Sequence, residues 1–385
     1  MALSKSKFLA YCQCPKRLWL EVYEPNQAEI SSDAQARFDA GTEVGKLARH
    51  YFGENNFVDV TLKDADDKLA LGEMILKTQD CMRKGVENIC EAAFSYQGCY
   101  CAVDILHKQE DGGYAIYEVK SSTDGSKDVY IDDLAYQAYV LHQCGVNFTQ
   151  YCTMVLNKEY VYDGAQDSNK KPVYDVQRLF VVTDLTDKVK ERMATVPAEI
   201  QEALKVVAAG SNNKPVSQIG TCCTKPYECA FVKYCKGCRK ISTPSVFDIY
   251  QARAFQNVEK GIVTVEDFEK KLKGDGPYAK IQRMQIDLLK SESEETVVNK
   301  EGVRNFLSQL TYPLYFVDGE TMQFALPQYA GMKPYQQITF QYSLHIAKDE
   351  NAEPEHKEYL APSDGNDPRR GLADQLVEDL PLTAC

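Results

Sequence analysis

Residues Gly98–Ser122 read GCYCAVDILHKQEDGGYAIYEVKSS, a pattern that predicts a two-strand β-hairpin. One strand carries Asp104, and the next carries Glu118, Val119 and Lys120. Because strand side chains alternate between faces, Glu118 and Lys120 point the same way and Val119 points opposite. Carboxylate oxygens suit Mg²⁺ or Mn²⁺, and a lysine beside them can steady or deprotonate an attacking water. The hairpin thus carries the groups of a divalent-metal phosphodiesterase, and a surface hairpin with scattered charges is the alternative.

The composition limits what this hairpin belongs to. A chain of 385 residues is long enough for two or three domains with their own cores. It has no apolar run long enough for a membrane span, and Met1–Lys7 lacks the apolar core of a signal peptide, so we expect a cytoplasmic protein with no membrane partner. The net charge of −12 excludes a surface that is basic throughout, but it is compatible with a local basic channel for nucleic acid.

The 14 cysteines indicate metal or cluster ligation rather than a disulfide framework, because no secretion signal accompanies them. Five lie close together, namely Cys222, Cys223, Cys229, Cys235 and Cys238. Only Cys235 and Cys238 have the Cys-x-x-Cys spacing that zinc favours. The spacing from Cys223 through Cys229 to Cys235 fits a [4Fe–4S] cluster better, with a fourth thiolate from elsewhere. Cys14 is the candidate, since it also lies beside basic residues, and zinc stays the alternative.

Ligation by Cys14 would bring two basic segments together, the first within Lys5–Arg17 and the second within Lys225–Lys240. We therefore expect a basic rim on an otherwise acidic protein. The candidates for contact with nucleic acid are Lys16, Arg17, Lys225 and Lys233.

A helix is predicted over Lys127–Cys144. Its apolar stripe contains Tyr130, Leu134, Gln137 and Leu141. A glutamine in an apolar stripe needs a hydrogen-bond partner, so Gln137 faces either a satisfied core contact or a site.

The chain changes character after residue 240, where helical periodicity over Val246–Lys273 and Tyr278–Lys290 predicts a helical connector. A strand from Leu314 follows and carries Asp318 and Glu320 on one face, and then come two antiparallel strands and a helix over Pro368–Leu380. This order resembles the first half of the ribonuclease-H-like DEDD exonucleases. The resemblance implies that Asp318 and Glu320 are two of the four carboxylates of a two-metal site. A charge pair on an edge strand is the alternative.

The motifs in order resemble the iron–sulfur branch of the PD-(D/E)XK nucleases, the RecB-like group that includes the CRISPR adaptation nucleases. The resemblance covers Ser4–Cys238 and is carried by Cys14-Pro15-Lys16-Arg17, Asp104, Glu118-Val119-Lys120, Gln137 and the late cysteines. It implies an α/β fold with a restriction-endonuclease-like mixed sheet and flanking helices. It also implies metal ligands at Asp104 and Glu118, Lys120 as the catalytic lysine, Gln137 near the scissile phosphate, and a cluster on Cys14, Cys223, Cys229 and Cys235.

This chain departs from the pattern of that group at three places. Where relatives carry a histidine ligand, the chain has Glu43, and His50 lies off that helix face; Glu43 is either the replacement ligand or a solvated glutamate. Leu141 stands where a tyrosine usually follows the glutamine. Pro226 lies three residues before Cys229, so Cys223 or Cys222 takes the place of the usual cysteine.

The sequence therefore predicts three regions. Residues 1–240 form a PD-(D/E)XK nuclease-like domain with the cysteine cluster, residues 241–312 a helical connector, and residues 313–385 a partial ribonuclease-H-like α/β domain. The last region, with LPQYAGMKPYQQITFQYSLH at Leu326–His345, also resembles a bacterial domain of unknown function that is habitually fused to such nucleases.

The predicted function is hydrolysis of DNA by a Mg²⁺- or Mn²⁺-dependent nuclease whose cluster is structural, and RNA is the alternative substrate. The metal ligands would be Asp104, Glu118 and the backbone carbonyl of Val119. The alternative is a catalytically impaired protein that binds or scaffolds nucleic acid, in which the cluster only shapes a basic surface.

Overall fold

A computed structural model of the chain describes residues 2–29, 32–63, 70–291 and 296–380, without the side chains of residues 32–39. The chain divides into two compact units. The first comprises Met1–Leu156 and Phe180–Ser293, and the second comprises Asn157–Leu179 and Glu294–Cys385. The three-region division that the sequence predicts stays a prediction.

A mixed sheet is the centre of the first unit, which agrees with the predicted α/β class. Within the described ranges, seven strands form it, in the spatial order β2-β3-β4-β5-β6-β7, with β1 beside the start of β4. The strands are β1 (Leu3–Ser4), β2 (Val58–Asp59), β3 (Asn88–Tyr96), β4 (Cys99–Lys108), β5 (Tyr114–Lys120), β6 (Phe148–Leu156) and β7 (Phe180–Asp184).

Helices flank this sheet and continue beyond it along the chain. In chain order they are α1 (Lys5–Gln13), α2 (Pro15–Tyr23), α3 (Ser32–Ala48), α4 (Leu71–Arg83), α5 (Asp128–Gln143), α6 (Val176–Leu179, in the second unit), α7 (Thr186–Arg192), α8 (Val196–Ala208), α9 (Val232–Cys238), α10 (Ala254–Glu259), α11 (Val265–Lys271) and α12 (Pro277–Lys290). The main core lies between the sheet and α1, α5, α7 and α8, and Phe8, Leu134 and Ile200 are among its fully buried side chains.

The predicted hairpin is confirmed: β4 and β5 pair antiparallel, with Ile105 opposite Tyr117. A tight turn joins β3 to β4, since Gln97 and Gly98 both have positive φ, 43° and 81°, as the twist of a two-residue hairpin requires. β5 and β6 run parallel, and α5 is the crossover between them. The predicted helix with Gln137 is α5, which ends at Gln143, and Gly145 just beyond it has the positive φ of 77° that is common after a helix end.

The region between residues 241 and 291 is helical, as the sequence predicts, but the helices within Val246–Lys273 are short. α10 ends before Gly261, which has a φ of 80°, and α11 begins at the N-cap Thr264, whose side chain accepts a hydrogen bond from the Asp267 backbone. The periodicity over Val246–Lys273 is therefore divided by a turn. The predicted helix over Tyr278–Lys290 is α12.

The second unit contains a smaller sheet. In the part of the chain that is described, it has three antiparallel strands in the order β10-β9-β8, namely β8 (Leu314–Gln323), β9 (Gln337–Ala347) and β10 (Glu355–Leu360). α13 (Lys300–Leu307) precedes this sheet, and α14 (Pro368–Asp379) packs on it through Leu372, which contacts the cluster of Tyr342, Leu344 and Ile346. Across both units, no helix among the described residues is long and apolar enough to cross a membrane.

Candidate functional site

The residues that the sequence selects on the hairpin and on α5 come together on one face of the large sheet. We call this cluster the carboxylate site, and its members are Lys5, Asp104, Glu118, Lys120, Asp133 and Gln137. β4 supplies Asp104, β5 supplies Glu118 and Lys120, and α5 supplies Asp133 and Gln137. The backbone N–H of Val119 donates to Asp104 Oδ2 at 2.7 Å, which fixes the first carboxylate against the second strand.

Glu118 is the centre of the carboxylate site. Its side chain is only 2% exposed, and a buried carboxylate needs charged or hydrogen-bonding partners. Lys5 Nζ and Lys120 Nζ each lie 2.7 Å from Glu118 Oε1. The other oxygen, Oε2, accepts a hydrogen bond of 2.7 Å from Gln137 Nε2. Gln137 therefore has the partner that its place in an apolar stripe requires.

Lys120 lies between two carboxylates. Its Nζ is 2.6 Å from Asp133 Oδ2 as well as 2.7 Å from Glu118, and Gln137 Nε2 donates to Asp133 Oδ1 at 3.0 Å. Burial alone would lower the pKa of Lys120, but the negative charges of Asp133 and Glu118 raise it above its usual value. The Lys120 ammonium group is thus held in a fixed direction and stays protonated.

The two hairpin carboxylates have pKa values that are displaced in opposite directions. Burial, together with the negative charge of Glu118, raises the pKa of Asp104. Burial also acts to raise the pKa of Glu118, but the ammonium groups of Lys120 and Lys5 outweigh it and lower that pKa. Paired titratable groups with diverging pKa values are typical of sites that do acid–base chemistry.

Three residues of this region lie outside the sequence prediction. Asp133 is four residues before Gln137 and so on the same helix face, which is a signal that the sequence does contain. Lys5 is carried in by β1, which pairs parallel with β4 through Leu3 and Cys99, a contact that no local pattern announces.

The third is Glu91 on β3. The pairs Cys90–Ile105 and Ala92–Val103 flank it, so it lies opposite Asp104, and its charge contributes to the raised pKa of Asp104. Glu91 has a positive φ of 58°, which is strained for a non-glycine residue in a strand, and Arg49 Nη2 donates to its Oε1 at 3.2 Å.

Glu43 and His50, the candidates for a further ligand, lie apart from these contacts. The Glu43 side chain is 63% exposed and pairs with Lys46 at 2.7 Å on the surface of α3. The His50 ring packs edge-on against Phe57, with ring centroids 5.1 Å apart. The described contacts of Glu43 are those of a solvated helix-face glutamate.

The donor set of the carboxylate site fits Mg²⁺ or Mn²⁺, because both cations take oxygen ligands. Gln137 Oε1 supports this fit: it is buried and has no hydrogen-bond partner among the described residues, as expected for an acceptor that serves a water or an ion. In that same part of the chain, no three His, Cys, Asp or Glu side chains are already gathered around one point. The ammonium groups of Lys5 and Lys120 lie against the carboxylates instead.

The predicted cluster ligands lie along one depression of the first unit, which we call the thiol cavity. The residues that line it include Cys14, Cys222, Cys223, Cys229 and Cys235. Cys14 lies between α1 and α2, and its Sγ is 3.1 Å from Ser217 Oγ. Gln13 ties this segment to the cysteine-rich segment, because its Nε2 donates to the carbonyl oxygens of Cys222 (2.7 Å) and Tyr227 (2.8 Å). Cys238 is exposed and does not line the cavity.

The thiol cavity fits a [4Fe–4S] cluster by its donor chemistry, since such a cluster takes one thiolate on each of four irons. Burial raises the pKa values of the Cys229 and Cys235 thiols, while the positive charge of Arg17 acts to lower the first and that of Lys16 the second. Cations beside thiols favour the thiolate form that a metal or cluster binds.

The predicted basic rim is partly neutralised. Arg17 Nε pairs with Glu21 at 2.8 Å, and Lys233 pairs with Glu29 at 2.8 Å. Lys16 is turned toward the Cys235 thiol, and Lys225 is exposed. The sequence places Lys5 in this rim, but in the structure it belongs to the carboxylate site. The whole length of α1 lies between Lys5 and Cys14. The rim is thus less basic than a count of lysines in the two segments predicts.

Asp318 and Glu320 lie on β8 of the second unit, opposite Ser343 and Gln341 of β9. Both residues are exposed. Asp318 Oδ1 accepts a hydrogen bond of 3.0 Å from the backbone of Gly319, next to it in the chain. The strand order of this sheet and the following helix agree with the predicted elements of this region.

Comparison with known proteins gives a match in the second unit. A family model described as a domain of unknown function (DUF2779) matches residues 315–385, and this confirms the sequence prediction that the region resembles a domain of unknown function. No curated protein and no solved structure matches the chain.

Proposed function

We propose that this chain is a metal-dependent nuclease that hydrolyses phosphodiester bonds of DNA, with a PD-(D/E)XK-like domain over residues 1–240 and a structural [4Fe–4S] cluster. The observation that carries the proposal is the convergence of Asp104, Glu118, Lys120 and Gln137 at one site from two strands and a helix. A surface hairpin with scattered charges does not require a glutamate that is 2% exposed and bonded to two lysines and a glutamine.

Asp104 and Glu118 are the residues that would hold Mg²⁺ or Mn²⁺, with the backbone carbonyl of Val119. A bound divalent cation lowers the pKa of a coordinated water and offsets negative charge on the scissile phosphate. The chain's own contribution is orientation. Gln137 fixes Glu118 through Oε2, and the Val119 N–H fixes Asp104 through Oδ2.

Lys120 acts in this proposal as a fixed cation rather than as a general base. Its Nζ donates to two carboxylates, Glu118 at 2.7 Å and Asp133 at 2.6 Å, which is the arrangement of an ammonium group. Its ammonium group orients the attacking water and stabilises charge on the phosphate, while Asp133 keeps it in place. Asp133 is thus a positioning residue.

The cluster would be held by Cys14, Cys223, Cys229 and Cys235, and its part is structural, because hydrolysis of a phosphodiester needs no electron transfer. The ligand from Cys14 would tie α1 and α2 to the cysteine-rich segment, in addition to the hydrogen bonds of Gln13. For residues 313–385 we propose a ribonuclease-H-like fold that carries Asp318 and Glu320.

The test is cleavage of single- and double-stranded DNA, with RNA in parallel, by anaerobically purified protein in Mn²⁺. Asp104→Asn and Lys120→Met are expected to lose at least about a hundredfold in rate. Asp133→Asn is expected to lose about ten- to a hundredfold, because it acts only through Lys120. Glu110→Gln is the matched control, since Glu110 is an exposed carboxylate in the turn of the same hairpin.

Cleavage at the wild-type rate by both Asp104→Asn and Lys120→Met would end the proposal. Loss of the cluster during purification is checked separately by iron content and the brown colour of the protein. Stoichiometric zinc without iron would replace the cluster by a zinc site.

One observation favours the second function, a nucleic-acid-binding or scaffolding protein without catalysis. The Lys5 ammonium group already neutralises Glu118 and lies 3.6 Å from Asp104 Oδ1. In that case DNA binding would be equally strong with chelator and with Mn²⁺, would fall steeply with salt, and would not be accompanied by cleavage.

A further inference from the structure

The backbone of the large sheet opens beside Asp104. β4 and β5 pair from Ile105 and Tyr117 toward the hairpin turn, and past that point the Val119 N–H donates to the Asp104 side chain. β1 pairs with the segment of β4 that is not paired with β5, and Leu3 lies opposite Cys99 there. The chain then enters α1 at Lys5, so the first residue of this helix stands at the opening.

Lys5 contacts both of the carboxylates that would hold a metal. Its Nζ lies 2.7 Å from Glu118 Oε1 and 3.6 Å from Asp104 Oδ1. The contacts of Lys120 are different, since its ion pairs are with Glu118 at 2.7 Å and with Asp133 at 2.6 Å. The three carboxylates exceed the two ammonium groups by one negative charge, so the site is close to neutral without any added cation.

We propose that Lys5 is a resident cation of the carboxylate site, which neutralises Asp104 and Glu118 while no divalent cation is bound and withdraws when one binds. This inference rests on the proposed function and adds a control of cation binding to it. An ammonium group and a divalent cation on the same oxygens repel each other strongly in a site that is largely shielded from water. Binding of Mg²⁺ or Mn²⁺ must therefore displace the ammonium group of Lys5, and this lowers the affinity of the site for the cation.

The structure gives Lys5 a way to leave. Its side chain is 26% exposed, whereas that of Glu118 is 2% exposed. A lysine has a flexible four-carbon stem, so rotation of the side chain moves the ammonium group toward water without displacing α1. The helix itself stays fixed at the other end, where Gln13 bonds to the cysteine-rich segment.

The experiment measures Mn²⁺ binding by titration calorimetry on the full chain, with the wild type, Lys5→Gln and Lys7→Gln. Lys7 is the matched control, because it lies in the same helical turn and its Nζ donates to the carbonyl oxygen of Ala2 rather than to a carboxylate. We expect Lys5→Gln to bind Mn²⁺ about tenfold tighter or more, since one competing positive charge is gone, and Lys7→Gln to bind as the wild type does. Glu118→Gln, both alone and combined with Lys5→Gln, is expected to lose this binding.

A second readout needs no binding isotherm. In chelator, Lys5→Gln is expected to melt at a lower temperature than the wild type, because Asp104 then loses the ammonium group beside it and Glu118 keeps only Lys120 as a counter-ion. Mn²⁺ is expected to raise its melting temperature by more than it raises that of the wild type.

The outcomes separate the two proposals. Binding of Mn²⁺ that depends on Glu118 but is unchanged or weaker in Lys5→Gln overturns the role of Lys5 and leaves the metal site standing. An absence of Glu118-dependent binding in the wild type and in Lys5→Gln overturns both. Tighter, Glu118-dependent binding in Lys5→Gln, with binding in Lys7→Gln equal to that of the wild type, supports the role of Lys5 and the metal site.

Discussion

The chain presents an aspartate and a glutamate on strands in two places, and their surroundings differ completely. Asp104 and Glu118 lie in the sheet of the first unit, and Glu118 is bonded there to two lysines and a glutamine. Asp318 and Glu320 lie on β8 of the second unit, where both are exposed and Asp318 bonds to the adjacent backbone. The residue types are the same, so burial and partners distinguish a candidate site from a pair of surface charges.

The physical reason for the difference is the cost of burying charge. An exposed carboxylate keeps its hydration, and its removal changes little. A buried carboxylate exists only because other groups replace the water, so each partner is held in position by the others. Such a network preorganises a site before any ligand arrives, whereas exposed carboxylates must be organised by the ligand itself.

The sharpest test of this comparison is truncation of one glutamate in each pair. Glu118→Ala leaves Lys5 and Lys120 without their shared carboxylate and is expected to destabilise the first unit by about 3–5 kcal/mol in chelator. Glu320→Ala is expected to change the second unit by less than about 0.5 kcal/mol. Urea unfolding followed by the fluorescence of the one tryptophan, Trp19, measures the first effect, since Trp19 is buried in the first unit. Hydrogen exchange of the β9 amides measures the second.

A loss below about 1 kcal/mol in Glu118→Ala would show that the network contributes no stability of its own. The comparison would then rest on geometry alone. A large loss in Glu320→Ala would mean that the second pair is also part of an organised site.

The sequence predicts the part of the carboxylate site that local patterns encode. Strand alternation gives the faces of Glu118 and Lys120, and helical periodicity gives the direction of Gln137. Asp133 was within reach of the same reasoning, because it shares a helix face with Gln137. Lys5 was not, since its position depends on a two-residue parallel pairing between β1 and β4, which lie far apart in the chain.

The fold shows the same limit. The hairpin and the Gln137 helix follow from periodicity and glycine positions, and the structure has both. The hydrogen bonds from Gln13 to Cys222 and Tyr227 join residues that lie some two hundred positions apart in the chain. The spacing of the cysteines indicates this contact only indirectly. The ion pair of Lys233 with Glu29 joins distant parts of the chain and depends on the packed structure. The pair of Arg17 with Glu21 is four residues apart on α2, so helical periodicity does contain its signal.

A smaller loss of stability is expected when the partner of a buried carboxylate, Asp379 of the second unit, is removed. Tyr342 donates a hydrogen bond to Asp379, and Lys357 Nζ lies 3.2 Å from Asp379 Oδ1. The hydrogen bond from Tyr342, helped by Lys357, lowers the pKa of Asp379. Because the folded pKa is below the unfolded one, this contribution to stability is complete above the unfolded value of about 4 and is lost as pH falls through the folded pKa.

Tyr342→Phe is therefore expected to destabilise the second unit by about 1–2 kcal/mol at pH 7. The difference from the wild type is expected to shrink as pH falls below about 4. Hydrogen exchange of the β9 amides at several pH values measures the destabilisation at pH 7 and its decrease toward acid pH. A difference that grows toward acid pH would mean that Asp379 is protonated in the folded protein.

The smallest expected effect concerns Glu43, the candidate that the sequence offered as a further metal ligand. Its side chain is 63% exposed and pairs with Lys46, an exposed pair three residues apart whose loss costs less than about 0.5 kcal/mol. Glu43→Gln is expected to leave both Trp19-detected unfolding and Mn²⁺ affinity unchanged. Glu91→Gln is the informative partner, because the charge of Glu91 acts on Asp104. A fall in Mn²⁺ affinity in Glu43→Gln but not in Glu91→Gln would mean that α3 brings Glu43 to Asp104 and Glu118 when the cation binds. Glu43 would then be a member of the carboxylate site.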